Sequence, residues 1–258
     1  MNSEDERNMK KDLEQLALLI RTAKKMTVFT GAGVSTLSGI RDFRGINGVY
    51  KEPWHGRNVE DILSLPTFRT EPELFYGWAT EFVYCLERYE PSVVHRVLAK
   101  LESEQLLKAL YTQNIDLLHT KAGNKKVYEI HGSPALHHCM KCRMVYTYAE
   151  ISPMVLGGKV PYCDHCGGLI KPDIVFYGEG LDEELLNKGF SDFESSDLVL
   201  VLGSSLTVQP AASLPMAAKY GGADIVIVNN QPTSLDSSAI LKFDDLKVVF
   251  EYLDKIFQ

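Results

Sequence analysis

Long apolar runs are missing. No stretch of the 258 residues approaches the roughly 18 apolar residues of a membrane-spanning helix. The opening segment, MNSEDERNMKK, is charged and has no apolar signal core, so the expectation is no secretory signal, no membrane and a cytoplasmic location. A basic excess is missing too. Lys and Arg number 27 against 34 Asp and Glu, giving a net charge of −7 and a pI near 5.5. Dedicated nucleic-acid binders carry the opposite balance, so no direct nucleic-acid partner is expected. There is no internal repeat and no low-complexity linker. Charged residues at 24% and hydrophobic residues at 45% exclude a disordered, collagen-like or coiled-coil chain. The length suits one large domain with a small satellite. No G-x-S-x-G elbow occurs, and no cysteine stands beside a plausible base, so neither supplies a nucleophile.

What is present begins with cysteine. Four of the five cysteines fall in two pairs, Cys139-x-x-Cys142 and Cys163-x-x-Cys166, separated by 20 residues. This spacing is a zinc signal, because each short turn lets two thiolates grip one ion and four complete a tetrahedron. A closed four-sulfur shell leaves no open position, so such a zinc is structural. Two disulfides are the other reading, and the missing signal peptide weighs against it. His137, His138 and His165 are neighbours that can substitute as ligands, but four cysteines suffice and the histidines read as surface residues. Cys85 reads as a small buried hydrophobe in an apolar helical stretch.

Residues 9–24 have helical periodicity, and Met26–Thr30 reads as a short buried strand. Residues 36–70 read as loops with short helices. Pro72 opens a helix carrying Leu74, Phe75, Trp78, Phe82 and Leu86, and another covers 92–104. Strands are predicted at Ala109–Thr112, Lys126–Ile130, Asp197–Leu202 and Asp224–Val228, with helices around the last two. This alternation predicts an α/β fold: a doubly wound, Rossmann-like parallel sheet, interrupted at about 134–170 by the zinc segment. The expected division is 1–36, 96–133 and 171–258 for the nucleotide-binding domain, 37–95 for a loop and helical module, and 134–170 for a zinc-binding module.

Five polar or glycine-rich clusters follow strands: 31–35, 113–116, 131–132, 203–205 and 229–230. In open α/β sheets the carboxyl ends of strands border the ligand crevice, so one crevice is expected to gather all five. Gly31-Ala32-Gly33 opens like a dinucleotide fingerprint, but Thr36 takes the third glycine position and no clear helix follows. His131 faces the same crevice as Asn114 and Asp116, and a neutral imidazole can take a proton near pH 7. Asn229, at the end of the last strand, can serve adenosine ribose hydroxyls. His55, His95 and His119 have no comparable setting and read as structural.

Taken together, these motifs resemble the sirtuins, NAD-dependent protein-lysine deacylases, and most closely the compact bacterial ones. The resemblance rests on Gly31–Ser35, Gly39–Gly45, Gln113–Asp116, His131-Gly132, the four cysteines, Lys171–Glu179, Gly203–Leu206 and Val228-Asn229, in the family's order across about residues 13–257. Arg41 stands where the family usually has proline, and Leu37 where proline or alanine is common.

The resemblance implies NAD as a consumed co-substrate, one structural zinc and an acyl-lysine peptide as partner; the sequence does not give an oligomeric state, and a monomer is the default expectation. It implies products of nicotinamide, free lysine and O-acetyl-ADP-ribose. The NAD contacts would be Gly31, Ala32, Gly33, Thr36, Asp42, Phe43, Arg44, Gln113, Asn114, Ile115, Asp116, His131, Gly203, Ser204, Ser205, Asn229, Asn230 and Lys247. His131, Asn114 and Asp116 would be catalytic. Val175, Phe176, Gly178 and Val208 would contact the peptide, which adds as a strand against a strand-like 175–179. In sirtuins that remove dicarboxylic acyl groups, a tyrosine and an arginine three residues later bind the acyl carboxylate. Tyr76 and Ala79 hold those positions here, which implies a preference for neutral acyl chains. Two other functions fit some of the same residues: protein mono-ADP-ribosyl transfer, and a non-enzymatic zinc-ribbon nucleotide-binding module.

Overall fold

The structure, a computed structural model, describes residues 3–43 and 48–257. The chain opens with helix α1 (Ser3–Thr22), strand β1 (Met26–Thr30) and the short helices α2 (Gly33–Thr36), α3 (Val59–Ile62) and α4 (Leu65–Thr70). Helices α5 (Pro72–Phe82) and α6 (Val93–Ser103) precede β2 (Leu107–Thr112), α7 (Leu118–Ala122) and β3 (Val127–Glu129). The zinc region contains β4 (Gly132–Cys139), β5 (Val145–Thr147), α8 (Tyr148–Leu156) and β6 (Ile170–Ile174). The remainder is α9 (Glu183–Glu194), β7 (Leu198–Leu202), α10 (Leu214–Gly221), β8 (Asp224–Val228), β9 (Leu241–Phe243) and α11 (Leu246–Ile256).

Six strands pair in parallel in the order β3-β2-β1-β7-β8-β9. Alternation along each strand supplies both faces of the sheet. Val28, Leu200 and Val226 point to one side, where Leu16 and Ile20 of α1, Leu98 of α6 and Phe250 of α11 cover them. Phe29, Val201 and Ile227 point to the other, against Phe193 of α9 and Leu214 of α10. The expected doubly wound sheet is thus present. Its order reverses between the neighbours β1 and β7: the chain runs outward through β2 and β3 on one flank and through β8 and β9 on the other. A crevice forms at such a switch point.

A second body sits beyond the carboxyl ends of the strands. Strands β4, β5 and β6 make an antiparallel sheet in the order β5-β4-β6. Its core is shared with α4 and α5 and is rich in rings. Phe68 lies 5.4 Å from Phe75 and 5.1 Å from Phe176, and Ile151 and Ile170 pack into the same cluster. Gly132 opens β4 at φ +66, where a Cβ would lie 1.8 Å from the Asp173 carbonyl oxygen, so only glycine lets β4 and β6 cross there.

Several expectations need correction. Helix α1 starts at Ser3, with Glu4, Asp5 and Glu6 in its first turn complementing the positive helix end. A one-turn helix, α2, does follow the glycines. Helix α5 ends at Phe82, because the Val83 and Tyr84 N–H groups both turn onto the Ala79 carbonyl; Cys85 is buried beyond the helix. Strand β9 was not anticipated. Residues 175–179 are not a strand: β6 stops at Ile174, the Phe176 N–H is taken by the Glu179 carboxylate, and Gly178 turns at φ +91. His137 is not a surface residue. It is fully buried with Nε2 2.7 Å from the Tyr84 hydroxyl, and burial draws its pKa down to about 4. The structural reading of His95 and His119 matches their burial and ring separation of 4.6 Å.

Candidate active site

A cavity of about 850 Å³ lies between the sheet and the second body. All five strand-end clusters reach it: Ala32, Gly33 and Thr36; Gln113, Asn114 and Ile115; His131; Gly203, Ser204 and Ser205; Asn229 and Asn230. The loops after β1 and β7 meet backbone to backbone at the switch point. Gly33 N–H donates to the Gly203 carbonyl at 2.9 Å, and a Cβ on Gly33 would lie 2.7 Å from Gly203 Cα. This contact explains the glycine pair better than turn geometry does, since it leaves bare backbone facing the cavity.

The loop after β2 is held from three sides. Ser204 Oγ donates to Gln113 Oε1 at 2.8 Å, tying the β7 loop to the β2 loop. Asn114 is buried, and its amide nitrogen donates to the Gly31 carbonyl and to Ser35 Oγ, both at 3.0 Å. With both N–H bonds used, the carbonyl oxygen is what Asn114 can offer a ligand. Asp116 accepts from Ser35 Oγ at 2.5 Å and from Leu118 N–H at 2.9 Å. Burial pushes its pKa up, against the lowering effect of those two bonds. Asp116 borders a smaller cavity of about 40 Å³ with Ser35, Ile40, Trp78 and Phe82.

His131 Nδ1 lies 2.9 Å from the Gln113 carbonyl oxygen. A carbonyl only accepts, so Nδ1 carries the proton and Nε2 the lone pair. This is the tautomer a general base requires. Val175, Phe176, Gly178 and Val208 line the same cavity, together with Asp42 and Phe43. Tyr177 and Tyr50 join their hydroxyls at 3.1 Å, and the Phe43 ring lies 5.2 Å from Tyr50.

Some expected contacts lie elsewhere. Arg44 falls outside the described residues. Gly31 is spent on packing: its N–H donates to the Leu202 carbonyl, and it is not in the cavity wall. Lys247 does not reach the cavity either. It sits in the first turn of α11 with its ammonium 3.8 Å from Glu251. Tyr76 turns away to donate to the Ile170 carbonyl at 2.5 Å. The side chains of α5 that border the two cavities are Trp78 and Phe82, with Arg41 lying 5.4 Å above the Phe82 ring. Ile40, Tyr50, Leu63, Thr207 and Gln231 also line the main cavity and were not foreseen. Gln231 follows Asn229 closely enough to have been suggested by loop position alone.

The four cysteine sulfurs lie within 4.8 Å of one another. Cys139 and Cys166 are 3.4 Å apart and Cys142 and Cys163 3.6 Å, so all are thiols and no disulfide is formed. Four sulfurs at 2.3 Å from one ion would be separated by about 3.8 Å, so the cluster fits a tetrahedral zinc. A Cβ at Gly168 would come 2.7 Å from Cys139 Sγ, so the turn opposite that thiol has room only for glycine. His137 and His138 are committed elsewhere, His138 to Asp173 at 2.5 Å, so the ligand set is the four cysteines.

The Sir2 family model matches residues 31–210. An NAD-dependent protein deacetylase of Thermotoga maritima is 42% identical over 88% of this chain and 90% of its own length. The chain belongs to the Sir2 family. Among solved structures, Sir2 with a deacetylated p53 peptide and 3′-O-acetyl ADP ribose is 38% identical, with a TM-score of 0.86 over 95% of this chain and 96% of its own. Sir2 with a p53 peptide and NAD+ is 37% identical, with a TM-score of 0.83 and the same coverage. Arg41, in the loop after β1, borders both cavities.

Proposed function

We propose that the chain is an NAD-dependent protein-lysine deacetylase that releases nicotinamide and free lysine and forms O-acetyl-ADP-ribose. The observation that carries this reading is His131, whose Nδ1–H is fixed on the Gln113 carbonyl while the residue lines the same cavity as Asn114 and the Gly33–Gly203 junction. NAD, consumed as co-substrate, supplies the ADP-ribose that accepts the acetyl group.

The chain's residues divide the work. The bare backbone at Ala32, Gly33 and Gly203, with the Ser204 and Ser205 hydroxyls, suits a pyrophosphate. The Asn114 carbonyl suits a ribose hydroxyl or an ordered water, and Asn229 suits the second ribose. Asp116 and Ile115 mark the nicotinamide end. His131 Nε2 takes the proton of the ribose hydroxyl onto which the acetyl group moves. Val175, Phe176, Gly178 and Val208 receive the acetyl-lysine peptide, and enclosure by Phe43, Trp78 and Phe176 excludes water from the reacting atoms. The four reduced thiols support a cytoplasmic setting.

Incubation with NAD and an acetyl-lysine peptide, read by mass spectrometry, tests the reading. Matching amounts of nicotinamide, deacetylated peptide and O-acetyl-ADP-ribose are expected. ADP-ribose attached to protein with the acetyl-lysine intact would replace the reading with ADP-ribosyl transfer.

A further inference from the structure

Lys171 stands on β6 with its side chain only 12% exposed, a rare position for an ammonium. Its three N–H bonds have three acceptors: Glu179 Oε2 at 2.9 Å, the Ile174 carbonyl at 2.7 Å and the Pro172 carbonyl at 3.1 Å. The Nζ also lies 4.2 Å from the centre of the Phe176 ring. Glu179 completes the arrangement. Its Oε2 accepts the Phe176 backbone N–H at 2.8 Å, and its own N–H donates to the Phe176 carbonyl at 2.9 Å. The pair therefore grips the Ile174 carbonyl on one side of Val175 and both the N–H and the carbonyl of Phe176 on the other. Val175 N–H, between them, donates to the His131 carbonyl at 2.9 Å.

Ile174 still pairs with Gly132, but after Val175 the segment leaves the sheet, and no strand ladder fixes the shape of 176–179. Its far end is tied down by Tyr177, which exchanges backbone bonds with Leu63 and Leu65. Its near end is held by the Val175 bond to His131 together with the buried ion pair. Ile174, Val175, Phe176 and Glu179 all border the cavity, whereas Lys171 does not. Burial draws the Lys171 pKa down, and the hydrogen bond and charge of Glu179 oppose that.

We propose that Lys171 and Glu179 are positioning residues for the peptide substrate, holding the backbone of 174–176 in the shape that presents Val175 to the cavity beside His131. The proposal rests on the deacetylase reading of the site. Lys171 touches no reacting atom and acts through the backbone it grips.

The test is steady-state kinetics of the full-length, zinc-loaded enzyme with an acetyl-lysine peptide and NAD. Lys171→Met is expected to raise the KM for peptide by roughly tenfold, with the NAD KM within about twofold of the parent and a smaller change in kcat. Lys171→Arg, which keeps the charge and the donors, should restore the peptide KM to within about threefold. Glu179→Gln retains an acceptor for the Phe176 N–H but removes the charge, and should raise the peptide KM by an intermediate factor. A peptide KM unchanged in a folded Lys171→Met, or equal losses in Lys171→Arg and Lys171→Met, would overturn the proposal. If Lys171→Met does not fold, Glu179→Gln decides, and an unchanged peptide KM there counts against it. Failure of the underlying reading looks different: the parent enzyme itself would make no O-acetyl-ADP-ribose. Calorimetric binding of the same peptide to parent and variants still reports on the loop in that case, with unchanged affinity overturning the proposal.

Discussion

On the sheet side of the cavity, Gly33, Asn114, His131, Ser204 and Asn229 each lie just beyond a strand. The strands β1 and β7 are buried at every residue. On the other side, Phe43, Trp78, Val175 and Phe176 lie on loops and one helix, with the aromatic cluster around Phe68 and the four thiols behind them. The first wall inherits its geometry from parallel hydrogen-bond register. The second has no such lattice and relies on ring packing, a metal and the Lys171–Glu179 pair. A base and a nucleotide cradle benefit from the rigid wall, and a wall that must admit a peptide benefits from one made of separable parts.

Removing the metal should break the contrast most severely. Cys142→Ser is expected to lose zinc and, because such metal binding contributes several kcal/mol or more to folding, to unfold the second body. Hydrogen exchange should lose protection across 134–174 while 198–202 and 224–228 stay protected, and activity should vanish with the peptide wall. A zinc-free variant with full protection and turnover would contradict this.

Truncating the aromatic centre comes next. Phe68 is fully buried, so Phe68→Ala should cost about 3–5 kcal/mol. Leu200→Ala in β7 should cost about 2–5 kcal/mol. The two should differ in kind. Phe68→Ala should first loosen 132–176 and raise the peptide KM, whereas Leu200→Ala should lower the melting temperature of the whole chain. Identical exchange patterns would dissolve the distinction between the two walls.

The smallest expected effect lies within the rigid wall. Ser204→Ala removes the 2.8 Å bond to Gln113. Loss of one such bond is worth about 0.5–1.5 kcal/mol, which corresponds to a rise of roughly two- to tenfold in the NAD KM with little change in melting temperature. A peptide KM that rises instead would place this link on the wrong side of the cavity.

The same division governs what the sequence made legible. Met26–Thr30, Leu198–Leu202 and Asp224–Val228 are short, mostly apolar runs between turn signals, so the parallel sheet and its five strand-end clusters were readable from pattern alone. The three-residue β9, with Lys242 at its centre, is too short to show a period. Helix α2 is one turn built partly on Gly33 and β-branched Val34, and contacts with the Gly203 loop hold it where propensity would not. In the second body, the cysteine spacing gave away the metal, but little else was readable. Val175-Phe176-Tyr177 has strand composition, yet Glu179 and Gly178 turn it into a loop. His137 reads as polar and exposed until β4 alternation places it against Tyr84. Lys247 lies in the first turn of α11, outside the cavity wall and 3.8 Å from Glu251, a placement that no sequence pattern indicates.

The central claim is that His131 is the base of an NAD-dependent deacetylation on the rigid wall. Its most direct measurement is O-acetyl-ADP-ribose formation by parent and His131→Ala enzymes on one acetyl-lysine peptide, with NAD binding followed by calorimetry. The account predicts product from the parent, a loss of roughly 10²–10⁴-fold in turnover for the variant, and NAD affinity that changes far less. Parent-level product from a folded His131→Ala enzyme would contradict it.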